Sequence, residues 1–222
     1  MDNKLVGIKP EQFTRIIAVD CPEIYGVLAT VAAHVPFLKR QIAPYQGAIL
    51  YALAKRFNFD EANILEIGTA WGYSAAMMAH GAPKAKITTL NPKGHEFKRA
   101  KEHLAYPIYE NISFVQKMST EYLFYYEGPK LDLIFVDGDH KNVHLDMPWW
   151  DWLNIGGTML HHDYSPSHSA RPTQVCFDRI NDFADWIGRK PDLIFIDDTN
   201  VGMAGWKKRA SDTANYSDDL VL

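Results

Sequence analysis

From Asn63 onward, short apolar runs alternate with segments of helical spacing, and this alternation constrains the fold more than any other feature of the chain. "NILEIG", "KITTLN", "ISFVQ", "LDLIFVDGD", "GGTMLHHD" and "DLIFIDD" read as strands. Between them, "GYSAAMMAHGA", "GHEFKRAKEHLAY", "STEYLFYYEG", "NVHLDMPWWDWLN" and "RPTQVCFDRINDFADWIGRK" read as helices. Strands separated by helices need crossover connections, which predicts one doubly wound α/β unit whose mostly parallel sheet is covered on both faces. The final stretch differs. In "DLIFIDDTNVGMAGWKK" the turn-prone "DDTN" joins two apolar pieces, predicting an antiparallel C-terminal hairpin that closes the sheet edge. The N-terminal third reads as helical. In "PYQGAILYALAKRF", Ile49, Leu50, Leu53 and Phe57 form one stripe, with Pro44 near the helix start. The expected organisation is N-terminal capping helices over residues 1–60 within the same domain, a core over 61–210, and a polar tail over 211–222.

At 222 residues the chain has room for one sizeable α/β domain. Hydrophobic residues at 47% and charged residues at 23% suit a soluble protein with a real core. The net charge of -4 disfavours a nucleic-acid partner. No apolar run approaches the roughly 20 residues that span a bilayer, and the first residues lack the pattern of a signal peptide. Cys21 and Cys176 are far apart and belong to no paired motif, which points to reduced, half-buried thiols. Together these features predict a cytoplasmic protein with no membrane and no nucleic-acid partner; a homodimer is the candidate assembly.

"NILEIGTAWGYSAAMMA" places Gly68 and Gly72 where a strand hands over to a helix. In an open α/β sheet the ligand lies at the carboxyl ends of the strands, near the reversal of strand order. Glycines there permit a tight turn, and the helix N-terminus offers unpaired N–H groups to an anion. Thr69 and Ser74 add hydroxyls. The spacing is G-x-x-x-G, so the dinucleotide pattern G-x-G-x-x-G is not met, and no Gly-Lys-Ser/Thr follows for a phosphate loop.

With Glu66 just before it, this glycine spacing resembles motif I of the class I S-adenosylmethionine-dependent methyltransferases, whose fold is Rossmann-like. "PYQGAILYALAKRF", "LEIGTAWGYSA", "LDLIFVDGDH" and "GGTMLHHDY" follow in the order of the small-molecule O-methyltransferases. The likeness is greatest to the branch with catechol-type and macrocin-type enzymes. It implies S-adenosyl-L-methionine as cofactor, with Glu66, Gly68, Thr69, Gly72 and Ser74 around its methionine end and Asp137 close by. It also implies an acid at the end of the second strand for the ribose hydroxyls. Asn91 stands there instead, and an amide has only one acceptor oxygen and no charge. Ser119 falls where the family contacts the adenine amino group, with Met118 as an apolar cover.

A second cluster lies in "FVDGDH" and "MLHHDYSPSH". In a parallel sheet both stretches end on the rim that carries the glycine turn. The resemblance makes Asp137 the first and Asp163 the third ligand of a divalent metal, with His162 where a carboxylate is expected. Magnesium prefers oxygen ligands, whereas imidazole suits manganese, zinc, iron or nickel. Three readings stay open: magnesium with His162 off the metal, a transition metal that uses His162, or no metal. His140 stands where catechol-type relatives place a lysine general base, and its ordinary pKa near 6.5 fits proton removal at neutral pH. His161 faces away from His162 by strand alternation, and His168 lies in a Ser- and Pro-rich loop. Trp149, Trp150 and Trp152 read as core, whereas Tyr45, Trp71 and Tyr164 are the aromatic candidates for lining a pocket.

The leading expectation is methyl transfer to a hydroxyl oxygen of a small molecule, with His140 and Asp137 at the chemistry. The alternatives are a metal-dependent hydrolase or other metal enzyme using the Asp/His cluster, and a non-catalytic cofactor-binding module.

Overall fold

The computed structural model describes residues 4–36, 42–165, 173–199 and 201–212. In chain order the strands are β1 (Lys4–Ile8), β2 (Asn63–Ile67), β3 (Lys86–Leu90), β4 (Ile112–Val115), β5 (Leu131–Val136), β6 (Leu153–His162), β7 (Leu193–Asp197) and β8 (Gly202–Lys207). The helices are α1 (Pro10–Asp20), α2 (Ile24–His34), α3 (Pro44–Ala54), α4 (Tyr73–Gly81), α5 (Gly94–His103), α6 (Ser119–Phe124) and α7 (Thr173–Ile187). All eight strands form one sheet in the order β1-β7-β8-β6-β5-β2-β3-β4. Pairing is parallel except where β8 lies antiparallel between β6 and β7.

The chain winds outward from β2 through β3 to β4, then returns to lay β5 on the other side of β2. Strand order therefore reverses between β2 and β5, and in an open α/β sheet the ligand crevice lies beyond the carboxyl ends of such a pair. Every residue of β5 is buried, as a central strand covered on both faces requires. Its one acid, Asp132, accepts hydrogen bonds from Asn63 N at 2.9 Å and Asn154 Nδ2 at 2.8 Å, which ties the starts of β2, β5 and β6 together.

Two apolar layers flank the sheet. One is built on α1 to α4, with Leu104 after α5. The other holds α7 and the 3-10 helix Val143–Trp152, with Trp149 and Trp150 buried as the sequence suggested. Pro148 lies inside that 3-10 helix, where its ring would clash with a carbonyl one α-turn back. The single stripe expected on α3 is absent: Tyr45 to Ala54 are all buried, because α3 is enclosed on every side.

The N-terminal third is helical in α1 to α3, but it begins with a strand. β1 pairs in parallel with β7, so β1 rather than the C-terminal hairpin forms that edge of the sheet. Its register breaks between Val6 and Ile8, and Gly7 adopts φ +68. Cys21 and Cys176 are free and buried. Among the described residues no single helix is long and apolar enough to cross a membrane. Residues 213–222, most of the expected polar tail, and His168 lie outside the described residues.

Candidate functional site

The turn after β2 sits in the β2/β5 crevice. Gly68 adopts φ +104, Ala70 φ +43 and Gly72 φ +91, a run of backbone that L side chains resist. Gly68 N and Thr69 N donate to Leu90 O at 2.9 and 3.1 Å, while Asp137 N donates to Ile67 O at 2.8 Å. The turn is thereby pinned to β3 on one side and to the end of β5 on the other. A Cβ on Gly68 would run into the backbone carbonyl of Asp137, and one on Gly72 would lie 2.7 Å from Leu104 Cδ1. What excludes side chains here is the protein itself. The glycine pattern suggests space kept for a ligand, but the fold needs both glycines with or without one.

Beneath the turn, Glu66 is fully buried. One carboxylate oxygen accepts from Ser74 Oγ and the other from Thr89 Oγ1, whose hydroxyl also lies 2.5 Å from Thr69 Oγ1. Burial pushes the Glu66 pKa up to about 7, against the two hydroxyl hydrogen bonds and with a further push from Asp137. Glu66 thus braces the turn from behind, holding Ser74 and Thr89 in place rather than facing the crevice.

At the end of β3, Asn91 is buried and committed on both sides of its amide. Its oxygen accepts from Lys93 N at 3.0 Å and its nitrogen donates to Glu96 Oε2 at 3.0 Å. Three residues past β4, Met118 is exposed at the position just before α6. The Ser119 hydroxyl accepts from Trp149 Nε1 at 2.8 Å and hydrogen-bonds the buried Asp146, so its side chain faces the 3-10 helix. Burial raises Asp146 to about 6 in spite of that bond.

The acid–histidine cluster assembles on the same rim. One ligand atom from each of Asp137, His140 and Asp163 lies within 4.8 Å of the others. That spread suits three ligands around one first-row cation, whose bonds run to roughly 2.0–2.2 Å. The donor set of two carboxylates and an imidazole fits manganese, iron, nickel or zinc more readily than magnesium. The sequence placed His162 in this set, whereas the assembled group contains His140. Asp163 explains the exchange: with φ +58 it turns back at the strand end, and its Oδ2 lies 2.5 Å from His140 Nδ1. His162 Nδ1 lies 3.1 Å from Asp137 Oδ1 and 3.2 Å from Asp163 Oδ2, without hydrogen-bond geometry to either.

Electrostatically, this corner stabilises positive charge. Burial disfavours a charged His162, but the Asp137 and Asp163 carboxylates outweigh it and hold its pKa well above the usual value. The Asp163 hydrogen bond raises His140, with burial opposing. Burial opposes ionisation of Asp163, yet His162 and His140 together keep its pKa far below the usual carboxylate range. His161, on the other face, is buried among Phe183 and Trp206, and burial lowers its pKa to about 3. It is a core residue, as strand alternation implied.

Of the aromatic candidates, Tyr45 is buried and donates to Asp197 Oδ2 at 2.8 Å, and Tyr164 turns to Phe177 and Asn181. Trp71 stays at the turn, partly exposed, with the Arg99 guanidinium 5.1 Å above its ring. Glu96 and Asp146, which hold the Asn91 and Ser119 side chains, occupy no motif position in the sequence.

Residues 65–164, which run from β2 to just past Asp163, match the family model of a methyltransferase domain. An O-methyltransferase from Bacillus cereus, solved with S-adenosylhomocysteine, superposes with a TM-score of 0.63 at 20% identity, over 84% of this chain and 91% of that one. The chain shares the fold of that O-methyltransferase. It is also 28% identical to a catechol O-methyltransferase of Mycobacterium tuberculosis, over 93% of this chain and 89% of that protein. A protein-L-isoaspartate O-methyltransferase of Methanococcus maripaludis is 31% identical over 54% of this chain, and the matched stretch spans only 53% of that enzyme.

Proposed function

We propose that the chain transfers a methyl group from S-adenosylmethionine to a hydroxyl oxygen of a small molecule, with a divalent metal beside the acceptor. One observation carries this reading: the glycine turn and the Asp137–His140–Asp163 group meet at the β2/β5 reversal, linked through the Asp137 backbone. When bound, the cofactor supplies a methyl group already activated as a sulfonium, so the protein's task is placement and proton control. Asp137, His140 and Asp163 would hold a cation, which would supply Lewis-acid polarisation of an acceptor oxygen.

The chain's own residues have distinct tasks. The first turn of α4, with Ser74 and the backbone of Gly68, Thr69 and Gly72, receives the amino-acid end of the cofactor. Met118 covers the adenine ring, and the α6 N-terminus with Ser119 borders it. Asp163 orients the His140 imidazole, which would complete the cation site and, with no cation bound, would take up the acceptor's proton. His162, buried against both carboxylates, offsets their charge.

The long match to the catechol enzyme favours a hydroxyl acceptor. The shorter isoaspartate match supports a second reading, transfer to a carboxylate oxygen, which needs no base because the acceptor is already ionised at neutral pH. Isothermal titration with S-adenosylmethionine and S-adenosylhomocysteine tests the cofactor. We expect micromolar binding of both. No binding at millimolar ligand would sink the methyltransferase reading and leave a metal enzyme built on the Asp/His cluster ahead.

A further inference from the structure

A nucleoside ribose presents two adjacent hydroxyl donors, and a carboxylate with free lone pairs is the side chain that accepts both at once. The residue at the end of β3 is not such a group. Asn91 is 3% exposed, and both ends of its amide are used, the oxygen by Lys93 N and the nitrogen by Glu96 Oε2. Its amide therefore points at a carboxylate instead of standing in for one.

Glu96 lies in the first turn of α5, where a negative charge is favoured by the helix dipole. The side chain is 23% exposed, so the carboxylate reaches the surface beside the buried Asn91. Its Oε2 is anchored by Asn91, while among the described residues Oε1 meets only Lys93 Nζ at 3.5 Å and His95 Nε2 at 3.8 Å. Those two partners are 64% and 80% exposed, and pairs of this kind contribute little and yield readily to a ligand. The glycine turn hangs from the carbonyl of Leu90, the residue before Asn91, so the turn and the side chain that holds Glu96 share the end of β3.

We propose that Glu96 is the ribose-binding acid of this chain and that Asn91 is the strut that aims it. The proposal rests on the S-adenosylmethionine reading above. The acid has moved from the strand end to the following helix, and the residue left at the strand end holds it in place.

The test is isothermal titration of S-adenosylhomocysteine and of its 2′-deoxy counterpart. Each is titrated into the wild-type chain, Glu96→Gln, and the double variant Glu96→Gln/Asn91→Asp, with circular dichroism melts to confirm folding. Hydrogen bonds to a charged acceptor predict that the wild type loses roughly 10–100-fold in affinity when the 2′-hydroxyl is removed. Glu96→Gln should lose at least that factor on S-adenosylhomocysteine and a smaller one on the deoxy ligand, because the 2′-hydroxyl contact is already missing there and only the 3′-hydroxyl contact remains to be lost. The double variant, with its carboxylate returned to the strand end, should recover most of the affinity. A folded Glu96→Gln protein that binds S-adenosylhomocysteine like the wild type, or discriminates the deoxy ligand as strongly, overturns the assignment of Glu96 alone. A wild-type chain that binds neither ligand overturns the cofactor reading and this assignment with it.

Discussion

Replacing Glu66 by Gln keeps its shape and removes its charge, and the consequence for stability depends on pH in a direction that the structure dictates. Burial raises the folded-state pKa of Glu66 to about 7 from an ordinary 4.5. A carboxyl raised in this way contributes its full stabilisation below the unfolded pKa and loses it as pH rises through the folded one. Between pH 5 and pH 8 the wild type should therefore lose about 2–3 kcal/mol from this group, taking about 1.4 kcal/mol per pKa unit. The introduced glutamine has no proton to lose and still offers an acceptor and a donor to Ser74 and Thr89, whose hydroxyls can rotate to match. Glu66→Gln should thus be close to the wild type at pH 5 and gain on it steadily toward pH 8. Urea unfolding of both proteins at half-unit pH steps reads this as a difference in slope. Parallel stability curves would refute the reasoning, because they would mean that Glu66 titrates alike in the folded and unfolded chain.

Gly68→Ala should destabilise by about 2–4 kcal/mol, since the methyl meets the Asp137 carbonyl in a backbone at φ +104; a melting temperature equal to wild type would contradict this. Elemental analysis after dialysis against Mn²⁺ should find about one ion per chain, falling to near zero in Asp163→Ala and persisting in His161→Ala. Retention of the ion by Asp163→Ala would place it elsewhere. Tyr45→Phe should cost about 1.5–3 kcal/mol by removing a buried hydrogen bond to Asp197, which a chemical-denaturation midpoint reports and an unchanged midpoint would exclude.

The strands from β2 to β8 are legible because each is a short apolar run stopped by glycine or a small polar residue, and the helices between them keep their spacing. β1 is not. "KLVGI" is five residues broken by a glycine, and its partner β7 lies at the far end of the chain, so no local pattern announces it. The rim was legible as well, since Asp137, His162 and Asp163 end buried strands. Which histidine completes the ligand group was not, because it turns on the reversed backbone of Asp163, and alternation along a strand says nothing about the residue just past its end. Gly68 shows a different limit. The need for glycine was readable, but its cause was a neighbouring strand, and only tertiary structure separates a wall of protein from a bound ligand. Glu96 looks from sequence like any acid in a first helical turn. The bond from Asn91 gives it its place.

The pairing of the first strand with the seventh has a consequence for synthesis on the ribosome. Lys4 pairs with Ile194, so the chain's opening segment must wait until roughly 190 further residues have been made. At about 5–20 residues per second that interval is on the order of 10–40 seconds. Meanwhile the stretch from β2 to β6 contains every strand that supports the turn and the acid–histidine group, and all of it emerges earlier. The half that carries the turn and the acid–histidine group can take shape while the opening strand is still without a neighbour. The last strand then has to enter between two others rather than join at a margin, so the sheet is finished from within, and the step that completes it comes last.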